Sequence, residues 1–437
     1  MSVSRTATLA AASAHIARER KRGRPYAQTL AFSQRDPDRH RARRERVRRR
    51  ARSRRGRGRH TVRDGEDRLE PADDGSVADQ TQTIVNAIKM ALEEVNFKVG
   101  NLTIEYEALD DATPATQKWD GAKEAENARK AIADSKIVAY IGTFNSGAAQ
   151  VSIPLLCAAN LAMVSPANTY PGLTKKAGAA QGEPEKFYPS GCKRNYTRVV
   201  PADDLQGAVG AAWMKELGGK KVFITHDNEL YGKGLADVFR DAAKKQGLTE
   251  AGYEAAPKAD NFKALANKIK DSGADFVYYG GIIDNNPHLL VRDLKAAAPS
   301  IKFMGPDGIA ESEFLKGAGA AGEGAYITFG GIPPSEYKGK SKDWFDAYQK
   351  KYNSKPEVYA IYGYEAAKVV LAGLKAAGTK ATDRAAVRDA IFATKDFDGV
   401  LGTKWSFDAN GDTSITTMAG MIVKSGDFAF QKLLETK

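Results

Sequence analysis

The chain has 437 residues, 42% of them apolar, and a formal net charge of +12. That length allows two or three domains with sizeable cores, and no run of 18 apolar residues is present to predict a membrane-spanning helix. The charge sits at one end: residues 1–72 carry 21 Arg, one Lys and eight acidic groups, whereas the remainder carries 44 basic and 46 acidic groups. The kind of base also changes, to 7 Arg against 37 Lys after Ala72.

Residues 1–72 include the run Arg41-Ala42-Arg43-Arg44-Glu45-Arg46-Val47-Arg48-Arg49-Arg50. Their sparse apolar residues follow no sustained period, so the segment is predicted to be disordered. Three readings stay open for it. Clustered Arg could bind nucleic-acid phosphate without sequence preference. A targeting peptide is the second, although Thr8 to Ile16 is rich in Ala and Ser for a secretion h-region. The third is an altered start or a shifted reading frame, which would give an Arg excess followed by an abrupt change.

From Gln80 the pattern becomes regular. Ile84, Ile88, Leu92 and Val95 recur at helical spacing and predict a helix over 80–96. Leu102 to Tyr106 alternates as a strand. Trp119, Ala122, Ala125, Ala128 and Ile132 form the next helical face. Ile137 to Ile141 reads as a buried strand, 147–160 as a helix and 161–164 as a strand. Strands are then predicted at 221–225, 252–255, 275–279, 301–304 and 324–329, with helices near 205–217, 233–246, 261–272 and 286–298. Three more helices follow at 341–352, 358–377 and 383–393, and the chain ends with strands at 420–423 and 428–430. Strands alternating with helices of this length mean βαβ units and parallel sheets, and the number of units calls for two sheets rather than one.

Ligands in such folds bind beyond the carboxyl ends of the strands. Ser146 follows the strand 137–141 and is expected either to cap a helix or to help form an anion site with the free N–H groups of its first turn. Ser165-Pro166-Ala167-Asn168-Thr169 follows the next strand. Thr225 to Gly232, Tyr278-Tyr279-Gly280-Gly281 and Met304-Gly305-Pro306-Asp307-Gly308 stand at later strand ends. Each has a plain reading as a turn; their joint occurrence at strand ends favours a binding site.

These segments resemble those of the periplasmic leucine/isoleucine/valine-binding protein family, the type I binding proteins of ABC importers. The resemblance runs from about Gly75 to the C-terminus. It includes Val164-Ser165-Pro166-Ala167, Phe303-Met304-Gly305-Pro306, and Trp405-Ser406-Phe407-Asp408 with Gly411-Asp412. It implies an α/β fold of two doubly wound parallel-sheet lobes joined by a three-crossing hinge, with crossings near Pro201, Ile332 and Asp412. Lobe 1 would then comprise 73–200 and 333–412, and lobe 2 would comprise 201–332 and 413–437. Ser146 and Thr169 match positions that hold a ligand carboxylate, and the Ala167 carbonyl one that accepts from its ammonium. Asp307 matches an acid that pairs with that ammonium. Tyr231 matches a tyrosine that closes from the second lobe, and Tyr359 falls near an aromatic position of the side-chain pocket. Ile282 stands where the family has a tyrosine, which alters the pocket. The family also opens with a central apolar strand, and nothing between Arg52 and Asp74 resembles one, so a gap in the first sheet is expected.

The resemblance implies capture of an amino acid, branched-chain or a similar aliphatic one, for the membrane subunits of an ABC importer. A monomer in the periplasm or cell envelope is expected, without nucleic acid or cofactor, although no secretion signal is evident. The alternative is a ligand-sensing regulator or receptor on the same fold. Catalysis finds no support in the motifs. His226 and His288 lack partners at metal-ligand spacing, and neither G-x-S-x-G nor a P-loop is present. Asp408, Asn410 and Asp412 resemble the start of a calcium loop, but Ala419 occupies the place of the bidentate Glu, so a turn is expected. Cys157 and Cys192 are expected either to form a disulfide in an oxidising compartment or to remain two thiols.

Overall fold

A computed structural model describes the backbone of residues 5–13 and the chain from 78 to 435. In chain order the first sheet and its helices comprise β1 (Arg5–Ser13), α1 (Ala78–Glu93), β2 (Lys98–Val99), β3 (Leu102–Asp110), α2 (Gly121–Ala133), β4 (Ile137–Ile141), α3 (Ser146–Ala158), β5 (Ala162–Ser165) and β6 (Tyr196–Arg198). The second comprises α4 (Asp203–Glu216), β7 (Lys221–His226), α5 (Leu230–Lys245), β8 (Thr249–Ala255), α6 (Lys263–Asp271), β9 (Phe276–Gly280), α7 (Pro287–Ala297), β10 (Lys302–Gly305), α8 (Ser312–Ala318) and β11 (Tyr326–Gly330). The chain then returns to the first sheet with α9 (Lys340–Tyr352), α10 (Ala360–Ala377) and α11 (Arg384–Phe392), and crosses back to add β12 (Met418–Lys424) and β13 (Asp427–Leu434).

Strand order is β2-β3-β1-β4-β5-β6 in one sheet and β13-β12-β11-β10-β9-β7-β8 in the other. All pairs are parallel except β2–β3, β11–β12 and β12–β13. All five residues of β4 and of β9 are buried, as continuous apolar runs require when helices cover both faces of a parallel sheet. The helices that cover these faces carry an apolar stripe: α1 buries Ile84, Ile88 and Leu92 and packs on α10. The result is two α/β lobes joined by three crossings.

Three expectations need correction. The gap expected in the first sheet is filled by β1, whose Arg5 to Ser13 pair with Leu102 to Asp110 of β3 on one side, while Thr8 to Ala11 pair with β4 on the other. Residues 5–13 are therefore a central strand, not part of a disordered segment; residues 14–72, for which disorder was also expected, lie outside the described residues. The physical reason is that β3 and β4 each present a row of backbone donors and acceptors that must be paired, and backbone pairing does not require the apolar side chains by which a central strand is recognised. Second, Trp119 precedes α2 instead of lying on its face. Asp120 caps the helix by accepting from the N–H groups of Ala122 (2.9 Å) and Lys123 (3.0 Å), which fixes the start one residue later. Third, Asn145 occupies the cap position of α3 and Ser146 is the first helical residue.

Asp408 forms a turn, its Oδ1 accepting from Asn410 N (2.8 Å) and Asp412 N (2.9 Å). Cys157, at the end of α3, is joined to Cys192 in a disulfide with a Cα–Cα distance of 5.8 Å.

Candidate functional site

Ser146, Ala167, Thr169, Tyr231, Ile282, Asp307 and Tyr359 all line one cavity between the lobes, with Phe144, Asn145 and Gly308. The space among these residues, counting the part open to solvent, is about 280 Å³, and all seven residues are buried. Each arrives from the carboxyl end of a strand or a helix start. Ser146 opens α3 after β4, and Ala167 and Thr169 follow β5. Ile282 follows β9, Asp307 follows β10, Tyr231 lies in the first turn of α5 and Tyr359 precedes α10. A larger groove of about 640 Å³, lined by Leu294, Lys295, Phe303 and Tyr326 among others, lies at the opposite, amino ends of β10 and β11. The cavity at the carboxyl ends is the better candidate because several loops converge there on charged and polar groups.

The loops of the first lobe are fixed by a buried network. Ser165 Oγ accepts from Ala167 N (3.1 Å) and Asn168 N (2.8 Å) and donates to Thr143 O (3.1 Å). Asn168 Nδ2 donates to the carbonyls of Thr143 (2.9 Å) and Phe144 (2.8 Å). Residues 143–146 and 165–169 are thereby held as one unit, and Ser146 Oγ accepts from Tyr170 N at 3.4 Å. Asn145 Oδ1 is buried without a hydrogen-bond partner among the described residues, while the Thr169 hydroxyl lies against the buried Asp203 carboxyl. Buried polar atoms ordinarily find a partner, so Asn145 Oδ1, an acceptor, is free to meet a donor on a solute, and the unpaired N–H groups in the first turn of α3 favour an anion.

The second lobe supplies the opposite charge. Asp307 accepts from Tyr231 Oη at 2.8 Å and from Tyr359 Oη, and Tyr231 Oη accepts from Gly308 N at 3.3 Å. Gly308 must be glycine, because a Cβ there would meet the carbonyl oxygen of Gly281 at 2.7 Å and the Tyr231 ring at 2.9 Å. Burial pushes the Asp307 carboxyl up, against the opposing pull of the two tyrosine hydroxyls. Asp203, fully buried at the start of α4, is pushed well up by burial and then by the field of Asp307. The site is thus short of positive charge. The rest of the wall is aromatic or aliphatic: Tyr359 meets Phe144 and Phe329 edge-on, each at 5.8 Å between ring centres, and Ile282 adds an alkyl surface.

Sequence reasoning missed two features around the cavity. The guanidinium of Arg198, wholly buried, donates to Asp412 Oδ1 (2.7 Å), to the carbonyls of Tyr170 (2.8 Å) and Asn168 (3.2 Å), and to Thr174. It therefore ties the first interlobe crossing to the third, and only the fold brings together residues so far apart in sequence. The second is a set of contacts from Lys118 and Trp119 to Glu229; the Asp120 cap, which frees Trp119 from the helix, was the signal available for it. Among the described residues no group of three or more His, Cys, Asp or Glu is arranged to hold a metal ion.

Comparison with known proteins agrees with this architecture. The Leu/Ile/Val-binding protein BraC3 of Rhizobium johnstonii is 31% identical over 341 residues, covering 77% of this chain and 86% of that protein. The leucine-binding protein LivK of Thermotoga maritima superposes with a TM-score of 0.72 at 25% identity, over 83% of this chain and 96% of the other. The branched-chain amino acid binding protein LivJ of Streptococcus pneumoniae, solved with isoleucine, gives 0.69 at 25% identity over 82% and 97%. A model of the periplasmic binding protein family matches residues 72–427, and the chain belongs to that family.

Proposed function

We propose that the protein captures one amino acid, branched-chain or similarly aliphatic, in the interlobe cavity and delivers it to the membrane subunits of an ABC importer. The observation that carries this reading is the pairing of opposite poles in one cavity: the start of α3 with Ser146 and Thr169, and the buried carboxylate of Asp307. The first suits an α-carboxylate and the second an α-ammonium, whose charge-assisted bonds gain strength away from water. The Ala167 carbonyl adds an acceptor for the ammonium, and Phe144, Ile282 and Tyr359 form the side-chain wall. The names of the relatives support an importer component over a sensor on the same fold, and a binding role over catalysis. In this reading the lobes, 73–200 with 333–412 and 201–332 with 413–437, close about crossings near Pro201, Ile332 and Asp412. The protein acts as a monomer in the periplasm or envelope, where the Cys157–Cys192 disulfide would persist.

The test is thermal unfolding of the full chain with a panel of amino acids. A ligand at 100 times its Kd adds about 2.7 kcal/mol. A rise in Tm with leucine, isoleucine or valine supports the reading; a cooperative transition that no amino acid moves refutes it.

A further inference from the structure

We propose that Glu229 is a clasp that sets how long the lobes stay closed, and with it the residence time of the solute. Glu229 stands on the loop between β7 and α5, in the second lobe. Lys118 and Trp119 stand on the loop between β3 and α2, in the first. Lys118 Nζ lies 2.5 Å from Glu229 Oε1, and Trp119 Nε1 donates to Glu229 Oε2 at 2.8 Å. Both carboxylate oxygens are therefore engaged from across the cleft. Within its own lobe Glu229 is aimed by Asn285, whose Nδ2 donates to Glu229 Oε1 (2.9 Å) and Asp227 Oδ2 (3.1 Å).

The position of this contact gives it leverage. Glu229 is two residues before Tyr231, which bonds to Asp307. The Trp119 ring lies so close over Gly147 that a Cβ there would collide with it, and Gly147 follows Ser146. The clasp thus joins the segment that leads into Tyr231 to a ring packed on the first turn of α3, yet none of its side chains lines the cavity. The side chains of Glu229 and Lys118 are only 14% and 26% exposed, so the pair is partly removed from water and stronger than an exposed one.

Every one of these interlobe bonds must break when the lobes part. Given that the solute lies in the cavity, as proposed above, apparent Kd is the intrinsic value divided by the closed fraction. Loss of the clasp lowers that fraction and speeds release, while the encounter step is unchanged. The expected effect is about a tenfold rise in Kd, equivalent to about 1.4 kcal/mol, carried almost entirely by the off-rate.

The variants are Lys118→Met and Trp119→Phe, singly and together, because they remove the first-lobe donors, including the 3.4 Å bond from Lys118 Nζ to Asn285 Oδ1, and keep the Asn285 Nδ2 bonds to Glu229 and Asp227. Two measurements decide: stopped-flow release of leucine, and the distance distribution between spin labels placed one on each lobe of the ligand-free protein. The expected result for the double variant is about tenfold faster release and a shift of the distribution to longer distances. Release at the wild-type rate with an unshifted distribution overturns the proposal. Should the wild-type protein bind no amino acid, the proposed function fails, and the distance distribution alone decides the clasp.

Discussion

Substitution of Asp307 by Asn should weaken affinity without lowering stability. The carboxyl is 3% exposed and accepts from one tyrosine of each lobe. If it pairs with the solute ammonium, Asp307→Asn leaves a buried cation without its counter-charge, at a cost of about 3–5 kcal/mol. That corresponds to an increase in Kd of about two to three and a half orders of magnitude. The solute-free protein is not weakened. Burial already disfavours the ionised Asp307, so an uncharged isostere should leave stability at pH 7.5 unchanged or raise it by about 1–3 kcal/mol. Calorimetric titration with leucine and the Tm of ligand-free protein measure the two effects. As a control, 4-methylpentanoate, the leucine skeleton without its amine, should bind the wild type weakly and the variant no more weakly, since it carries no ammonium to lose its partner. An unchanged leucine Kd refutes the role assigned to Asp307. A fall in Tm together with affinity refutes the electrostatic argument, since it would mean that the substitution only disrupts the cavity.

Two further predictions concern the folded chain as a whole. Burial, followed by the field of Asp110, pushes Asp111 up to about 7; burial, followed by the field of Glu229, does the same to Asp227. Because these folded values exceed the unfolded one of about 3.9, the native state holds protons that the unfolded chain has released. Stability should therefore fall between about pH 4 and 7, by up to about 1.4 kcal/mol per pH unit and group. Asp412 has the opposite sign. Burial pushes it up, but Arg198 and Lys175 outweigh burial and hold it below its ordinary value, so its contribution is present above about pH 3.9 and is lost in stronger acid. A Tm maximum near pH 4–5, flattened on its alkaline side by Asp111→Asn, is expected; a Tm that climbs steadily to pH 8 contradicts it. Reduction of the Cys157–Cys192 bond, which spans 35 residues, should cost about 3–4 kcal/mol by loop entropy and lower Tm by several degrees. An unchanged Tm after verified reduction would show that the bond constrains little.

The strands that carry the site were legible because burial on both faces demands a continuous apolar run, as in Ile137 to Ile141 and Phe276 to Tyr279. Once those strands were placed, Ser146, Thr169, Ile282 and Asp307 stood just beyond their carboxyl ends, and the cavity gathers all four. What escaped had another physical basis. The central strand Arg5–Ser13 is held by backbone pairing, and its small residues carry no strand signature. The helical period through Trp119 was misleading, since alanines at the right spacing continued a face that Asp120 in fact ends. The links Arg198–Asp412, Lys118–Glu229 and Tyr359–Asp307 join residues 214, 111 and 52 positions apart. No local pattern records such partners; they meet because three crossings bring the lobes face to face.

The central claim, that this cavity holds one amino acid, is tested most directly by calorimetric titration of the full chain with leucine, isoleucine and valine. The account predicts saturable binding at one site per chain, with a negative heat-capacity change from burying the alkyl side chain against Phe144, Ile282 and Tyr359. Absence of saturable binding for all three, from protein that unfolds cooperatively, would contradict it.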